Sequence, residues 1–117
     1  MNDLGALRTR FLQDTAAVRL GNLSSELARV ANLVRRAYLK PVPEVMRTAA
    51  WFIEWSLPEV SAELQSSLVE LQVALSRWWQ RWETVSLDQA TLAEVERMCR
   101  ERANWLLAAS GLIDAVA

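Results

Sequence analysis

Turn-forming residues are scarce in this chain, which holds only three Gly and three Pro among 117 residues. A fold made of short strands needs a turn about every ten residues, usually built with Gly, Pro, Asn or Asp. Instead, apolar residues recur at the three- and four-residue spacing of amphipathic helices. We therefore predict an all-α fold. The length is that of one domain, so we expect a single helical-bundle domain over 1–117.

Prolines and capping patterns predict where the helices begin and end. The segment Lys40-Pro41-Val42-Pro43 ends the first helix, because Pro removes a donor and disfavours helical geometry in the preceding residue. Ser56 and Ser86 each begin a capping-box pattern, and Gly111 is a natural C-cap. These signals predict a four-helix, mostly antiparallel bundle with one short helix. The predicted helices cover about 3–39, 44–56, 58–85 and 87–109.

The apolar face of the first helix rotates by about a third of a turn near residues 14–21. The helix is therefore either continuous or kinked there, or broken at Gly21-Asn22. A single Gly costs only about 1 kcal/mol inside a helix, and this stretch has no Pro. We favour a continuous or kinked helix.

The third predicted helix carries a coiled-coil-like seam, in which apolar residues alternate at spacings of four and three. This pattern predicts that one side of the helix faces the core. The seam residues are Leu64, Leu68, Leu71, Leu75, Trp78, Trp82 and Val85.

The residues needed for most bundle chemistry are missing from the sequence. It contains no His, which excludes Ser-His-Asp and Cys-His nucleophiles and the Glu-x-x-His pattern of di-iron bundles. It has no Gly-rich phosphate loop. We predict a non-enzymatic protein without metal or cofactor. The lone Cys99 suits a reducing compartment, and no signal-peptide or membrane-spanning pattern is present, so we expect a cytoplasmic protein.

Tryptophan is unusually frequent, with six in the chain. Trp78 and Trp82 belong to the seam, but the short second helix is apolar nearly all round, and its own small fold is not expected to cover it. Aromatic residues are enriched at protein interfaces. We therefore predict a contact with another protein or, more specifically, a homodimer. The candidate interface residues are Trp51, Trp55, Trp79, Phe52 and Ile53.

Two other kinds of partner compete with a protein. A hydrophobic small molecule or pigment in a Trp-lined groove is the alternative, and a pocket of a few hundred Å³ between helices would favour it. The segment Arg77-Trp78-Trp79-Gln80-Arg81-Trp82 mixes basic and aromatic residues, as nucleic-acid sites do. However, the net charge is only −1 and two of these Trp belong to the seam, so we do not expect nucleic acid as a partner.

Arg102 interrupts the apolar face of the fourth predicted helix. A buried Arg needs a carboxylate partner, and Asp14 or Glu54 would supply one in a buried ion pair. Alternatively, the long side chain extends to the rim of the core and leaves its charge in water. The sequence favours the second arrangement slightly.

Four segments carry a resemblance to a known group of proteins. They are LGNLSSELARV (20–30), WFIEW (51–55), LVELQVALSRWWQRW (68–82) and LLAASGL (106–112). In these segments the chain resembles small all-helical proteins of unknown function from cyanobacteria. The resemblance implies a helical fold, and it implies no activity and no functional residue.

Overall fold

The computed structural model describes residues 3–110, and all regular structure within them is helical, as the all-α prediction requires. The first and third predicted helices are each divided in two, so these residues form six α-helices where the sequence predicted four. The helices are α1 (Leu4–Gln13), α2 (Ala16–Arg35), α3 (Val42–Ser56), α4 (Ala62–Gln80), α5 (Trp82–Val85) and α6 (Gln89–Ser110), with a 3₁₀ turn at Leu57–Glu59.

The helical conformation is interrupted at Asp14 and Thr15, so the prediction of a continuous or kinked first helix was wrong. Asp14 is extended, with ψ of 160°, and Thr15 accepts a hydrogen bond from Val18 N at 3.3 Å as the N-cap of α2. The helix then runs unbroken through Gly21 and Asn22. The apolar face therefore rotates where one helix ends and the next begins. Thr15 begins the second helix as its N-cap, and Gly21 does not interrupt it.

The second helix boundary also differs from the prediction, because α2 ends at Arg35 and not near residue 39. Ala37 adopts a left-handed conformation with φ of 58°. Its N–H donates to Val34 O at 3.0 Å, and Tyr38 N–H donates to Leu33 O at 3.0 Å. This pair of bonds is a Schellman motif, which ends a helix before any proline is reached.

The predicted capping box at Ser56 does not form. Ser56 Oγ donates to Phe52 O at 2.7 Å, within α3, and the 3₁₀ turn follows. The N-cap of α4 is Ser61, whose hydroxyl accepts from Leu64 N at 3.3 Å. The third predicted helix therefore begins four residues late, because Pro58 belongs to the turn that connects the two helices.

The predicted capping box at Ser86 is also wrong. Ser86 Oγ donates to Glu83 O at 3.2 Å, and α6 begins after Asp88, whose carbonyl accepts from Leu92 N at 2.9 Å. The Asp88 carboxylate accepts from the Thr91 hydroxyl. Earlier in the chain, the helical conformation is also interrupted at Arg81, which separates α4 from α5. The predicted C-cap at Gly111 lies outside the described residues.

The core lies where α2 packs against α6 and α3, and α3 packs against α4. Ser24 on α2 is buried, and its hydroxyl donates to Ala103 O on α6 at 2.6 Å. The predicted seam faces this core. Its four buried members are Leu68, Leu71, Leu75 and Val85, and its three half-buried members are Leu64, Trp78 and Trp82.

Candidate functional site

An aromatic cluster joins α1 to α3. Phe11 and Phe52 stack with ring centroids 4.3 Å apart, and Trp55 packs against both rings at 5.8 and 6.0 Å. Trp51 stacks on the outer side of Trp55 at 5.7 Å. We call these four residues the aromatic cluster. Since residues four apart share a helix face, the sequence places Trp51 beside Trp55, and the break at Asp14 allows α1 to fold over them.

Within the predicted interface, the structure separates buried from accessible residues. Ile53 has no exposed surface, and Phe52 and Trp55 are 7% and 9% exposed. The premise that the chain cannot cover its apolar short helix was therefore wrong, because α1, α2 and α4 surround α3. Only two of the five candidates remain accessible. Trp51 is 38% exposed and Trp79 is half-buried.

The two accessible tryptophans line one groove between α3 and α4, which we call the Trp51–Trp79 groove. Its volume is about 570 Å³. It is lined by Arg47, Ala50, Trp51, Glu54, Gln72, Ser76 and Trp79. The structure thus brings together one residue of the short helix and one from the end of α4, 28 positions later in the sequence.

Polar side chains are fixed along one wall of the groove. Gln72 Nε2 donates to Ala50 O at 3.3 Å and to Glu54 Oε2 at 3.0 Å. Arg47 is about half exposed and lies 3.5 Å from the carboxylate of Glu44. The groove therefore offers apolar indole surface with one cationic and one anionic group at its edge. This arrangement suits binding of an apolar group that carries a polar end.

Trp51 also borders a second groove on its other side, toward α1. This groove has a volume of about 420 Å³ and is lined by Asp3, Leu4, Leu7, Arg10, Glu44, Arg47, Thr48 and Trp51. Both grooves include Arg47 and Trp51. The Trp51 indole thus forms a wall that two adjacent depressions share.

Arg102 pairs with neither of its predicted partners. Its guanidinium donates to Ser67 O at 3.0 Å, to Ser67 Oγ at 2.5 Å and to Glu70 Oε1 at 3.0 Å. Glu70 is 67% exposed, so the charges meet at the rim of the core. Asp14 accepts instead from Asn22, and Glu54 from Gln72. The buried ion pair, one of the two alternatives, is therefore not formed. The side chain instead reaches out from the apolar face to an ion pair at the rim, closer to the arrangement that the sequence slightly favoured.

Among residues 3–110 the buried arginine is Arg19, which the sequence interpretation missed. Its side chain is 10% exposed and forms an ion pair with Glu59 in the 3₁₀ turn. Its Nε atom has no hydrogen-bond partner among the described residues. A signal was available, since Arg19 lies four residues before Leu23 and eight before Leu27 on the apolar face of α2.

Within the described residues, neither a metal-binding cluster nor a reactive thiol is present. Residues 3–110 hold no cluster of three acidic, Cys or His side chains able to bind a metal. Cys99 is fully buried, and burial raises the pKa of its thiol to about 12, which keeps it protonated and unreactive. None of the helices in this range combines the length and the apolar character that crossing a bilayer requires.

The resemblance of the chain to cyanobacterial helical proteins stays a prediction. No protein-family model, characterised protein or solved structure matches this chain.

Proposed function

We propose that this protein is a non-enzymatic interaction and assembly module that contacts another protein through the Trp51–Trp79 groove. The observation that carries the proposal is the exposure of Trp51. Its neighbours Phe52, Ile53 and Trp55 are buried, whereas 38% of the Trp51 surface remains in contact with solvent. A partly exposed indole beside a groove is typical of the anchor residues that dominate protein interfaces.

The edges of the groove support the same function. Arg47 and Glu54 place opposite charges on its border, and Arg is enriched at interfaces together with Trp. A partner side chain that enters the groove would leave these groups at a polar rim. The absence of His from the sequence supports a non-enzymatic role. The lone buried thiol of Cys99 supports a cytoplasmic location.

The proposal includes the arrangement of the main helices. We infer that α2, α3, α4 and α6 form the mostly antiparallel four-helix bundle that the sequence predicts. Ser24 contacts Ala103, and Asn32, further along α2, contacts Arg100, which comes earlier in α6. This order supports an antiparallel pair, as does the short turn between α3 and α4. α1 and α5 would then be additions at its margins.

A paired-variant capture experiment tests the role of the groove. Trp51→Ala removes the exposed indole, and Trp105→Ala is a matched control, since Trp105 is 36% exposed on α6. Proteins cross-linked to the tagged chain in its native cells would be identified by mass spectrometry. We expect a partner to be retained by the parent and by Trp105→Ala and to be lost with Trp51→Ala. Equal recovery from all three proteins would contradict the proposal.

A hydrophobic small molecule is the second candidate occupant, and one observation favours it. The groove volume of about 570 Å³ lies within the usual range of ligand pockets, roughly 300–1,000 Å³. Binding would quench the fluorescence of the two indoles in a saturable manner. A titration with candidate aromatic ligands tests this function. Quenching that persists in Trp51→Ala with unchanged affinity would show that the ligand does not occupy the groove.

A further inference from the structure

The solvent-facing side of α4 carries a second seam, opposite the one that faces the core. Its members are spaced alternately by four and three residues, the heptad spacing of helices that pair along their length. Five of the six are exposed and one is half-buried. We call this set the outer seam, and its members are Ala62, Ser66, Val69, Val73, Ser76 and Gln80.

The outer seam is uncharged over the whole length of α4, about 28 Å. Val69 and Val73 lie at its centre and are 44% and 45% exposed. Ala62, Ser66 and Ser76 are small, which allows another helix to approach closely. A solvated helix face ordinarily carries charges, and this composition is instead typical of a face that a second helix covers.

An antiparallel pair of α4 helices fits this seam by its own symmetry. When two copies are aligned about residue 71, Val69 of each copy faces Val73 of the other. In the same alignment Ser66 faces Ser76, and Ala62 faces Gln80. Two-fold symmetry requires a self-complementary surface of this kind. The valines therefore meet at the centre, and the small and polar residues meet toward the ends.

The charges beside the outer seam are complementary in the same alignment. Glu63 and Arg77 are exposed on one flank, seven residues to either side of Glu70. Neither has an ion-pair partner within residues 3–110. In the antiparallel pair, Arg77 of one copy lies two residues, about 3 Å along the axis, from the position opposite Glu63 of the other, a distance that these long side chains can bridge. Glu70 would lie close to the Glu70 of the other copy, but Arg102 already neutralises it. The net charge of −1 leaves little repulsion between copies.

We propose that the outer seam of α4 binds a second copy of this chain in the antiparallel orientation. This inference rests on the proposed interaction function and names one partner for it. Ser76 belongs to both the groove and the outer seam. Because the two-fold axis keeps like flanks together, the Trp51–Trp79 grooves of both copies open on the same side of the dimer. A further protein could then contact both grooves at once.

The oligomeric state as a function of concentration is the first test. A single pair of helices buries little area compared with most stable interfaces, so we expect a dissociation constant in the micromolar range. Sedimentation velocity from about 1 to about 500 µM should show the monomer converting to the dimer. Val73→Glu should give a monomer throughout this range. Val18→Glu is the matched control on α2, at 38% exposure, and should leave the dimer intact.

Charge reversal tests the orientation of the helices. Arg77→Glu places like charges together at both ends of the antiparallel pair, and we expect the dimer to weaken by about tenfold. The double variant Glu63→Arg/Arg77→Glu restores opposite charges and should restore the affinity. Thermal melts of each variant monitor folding. A parent protein that stays monomeric at the highest concentration overturns the inference. A dimer that survives Val73→Glu, or a double variant no tighter than the single one, overturns it as well.

The two proposals fail in distinguishable ways. Trp51→Ala should leave the dimer intact, since Trp51 lies outside the outer seam. If no dimer forms but capture of another protein still depends on Trp51, only the inference about α4 fails. If the dimer forms and Trp51→Ala has no effect on any partner, the dimer stands and the groove function fails.

Discussion

Replacing Phe11 with alanine should detach α1 from the rest of the protein. Phe11 is the buried residue of α1, at 3% exposure, and it stacks on Phe52 with centroids 4.3 Å apart. Truncating a buried Phe to Ala typically costs about 3–5 kcal/mol. Leu7 and Leu12 are only half-buried, so together they contribute about 2–3 kcal/mol. The loss therefore exceeds what the remaining contacts of α1 supply.

Local undocking rather than global unfolding is the expected response. A helix of ten residues is marginal in water, so α1 should lose its structure once it is detached. Its amides should then exchange with solvent much faster than those of α2 and α6. Hydrogen exchange measured by mass spectrometry resolves the two regions. Phe52 and Trp55, which α1 covers, would become exposed.

Leu4→Ala provides the control on the same helix, because Leu4 is 38% exposed and buries little of its surface in the core. We expect its exchange pattern to match the parent. The reasoning would be refuted if α1 remained protected in Phe11→Ala while the free energy of unfolding fell by less than about 1 kcal/mol. That result would mean that contacts other than the aromatic cluster hold α1 in place.

Four further predictions concern single sites. Ala37→Gly should stabilise the protein by about 0.5–1 kcal/mol in urea denaturation, because Gly adopts the φ of 58° without strain. Burial raises the pKa of Glu26, so the ionised carboxylate destabilises the folded state. Glu26→Gln should therefore raise the melting temperature at pH 7. This gain should vanish as the pH falls below about 4, where Glu26 is protonated in the folded and unfolded states alike. Cys99 should react with a thiol reagent no faster than the protein opens, in contrast to free cysteine. Arg102→Met should change the unfolding free energy by less than about 1 kcal/mol, since its ion-pair partner is largely exposed, and a larger loss would indicate that the Ser67 bonds are stronger than expected.

The sequence predicts the helical class and the core seam of α4 well, because both depend on periodic patterns repeated over many residues. Leu68, Leu71 and Leu75 are buried as their spacing requires. Helix ends depend on single residues and were harder to predict. Ala at the C′ position of α2 carries no terminating signal, since Gly normally occupies it. The helix starts predicted at Ser56 and Ser86 were wrong for a related reason. Ser61 and Asp88 are also capping residue types, and they precede the helices in the structure.

The candidate site could be predicted only in part. The apolar character of the short helix singles out Trp51, but it does not show which of its faces α1 covers. That depends on the break after Asp14, which brings Phe11 onto Phe52 and Trp55. The partner of Arg102 could not be predicted either, because periodicity assigns a residue to a face without saying which helix packs against that face. The Ser67 carbonyl and Glu70 became candidates only once α4 and α6 were known to be adjacent.

The stacked indoles of Trp51 and Trp55 give this protein an optical signal of its own. With centroids 5.7 Å apart and rings inclined by 24°, their electronic transitions are close enough to couple. Exciton coupling of this kind produces a pair of circular dichroism bands of opposite sign, whose intensity depends on the relative orientation of the two rings. A ligand or partner that moves Trp51 would therefore change the spectrum directly. Occupation of the groove could be followed in the unlabelled protein, without a dye or an isotope.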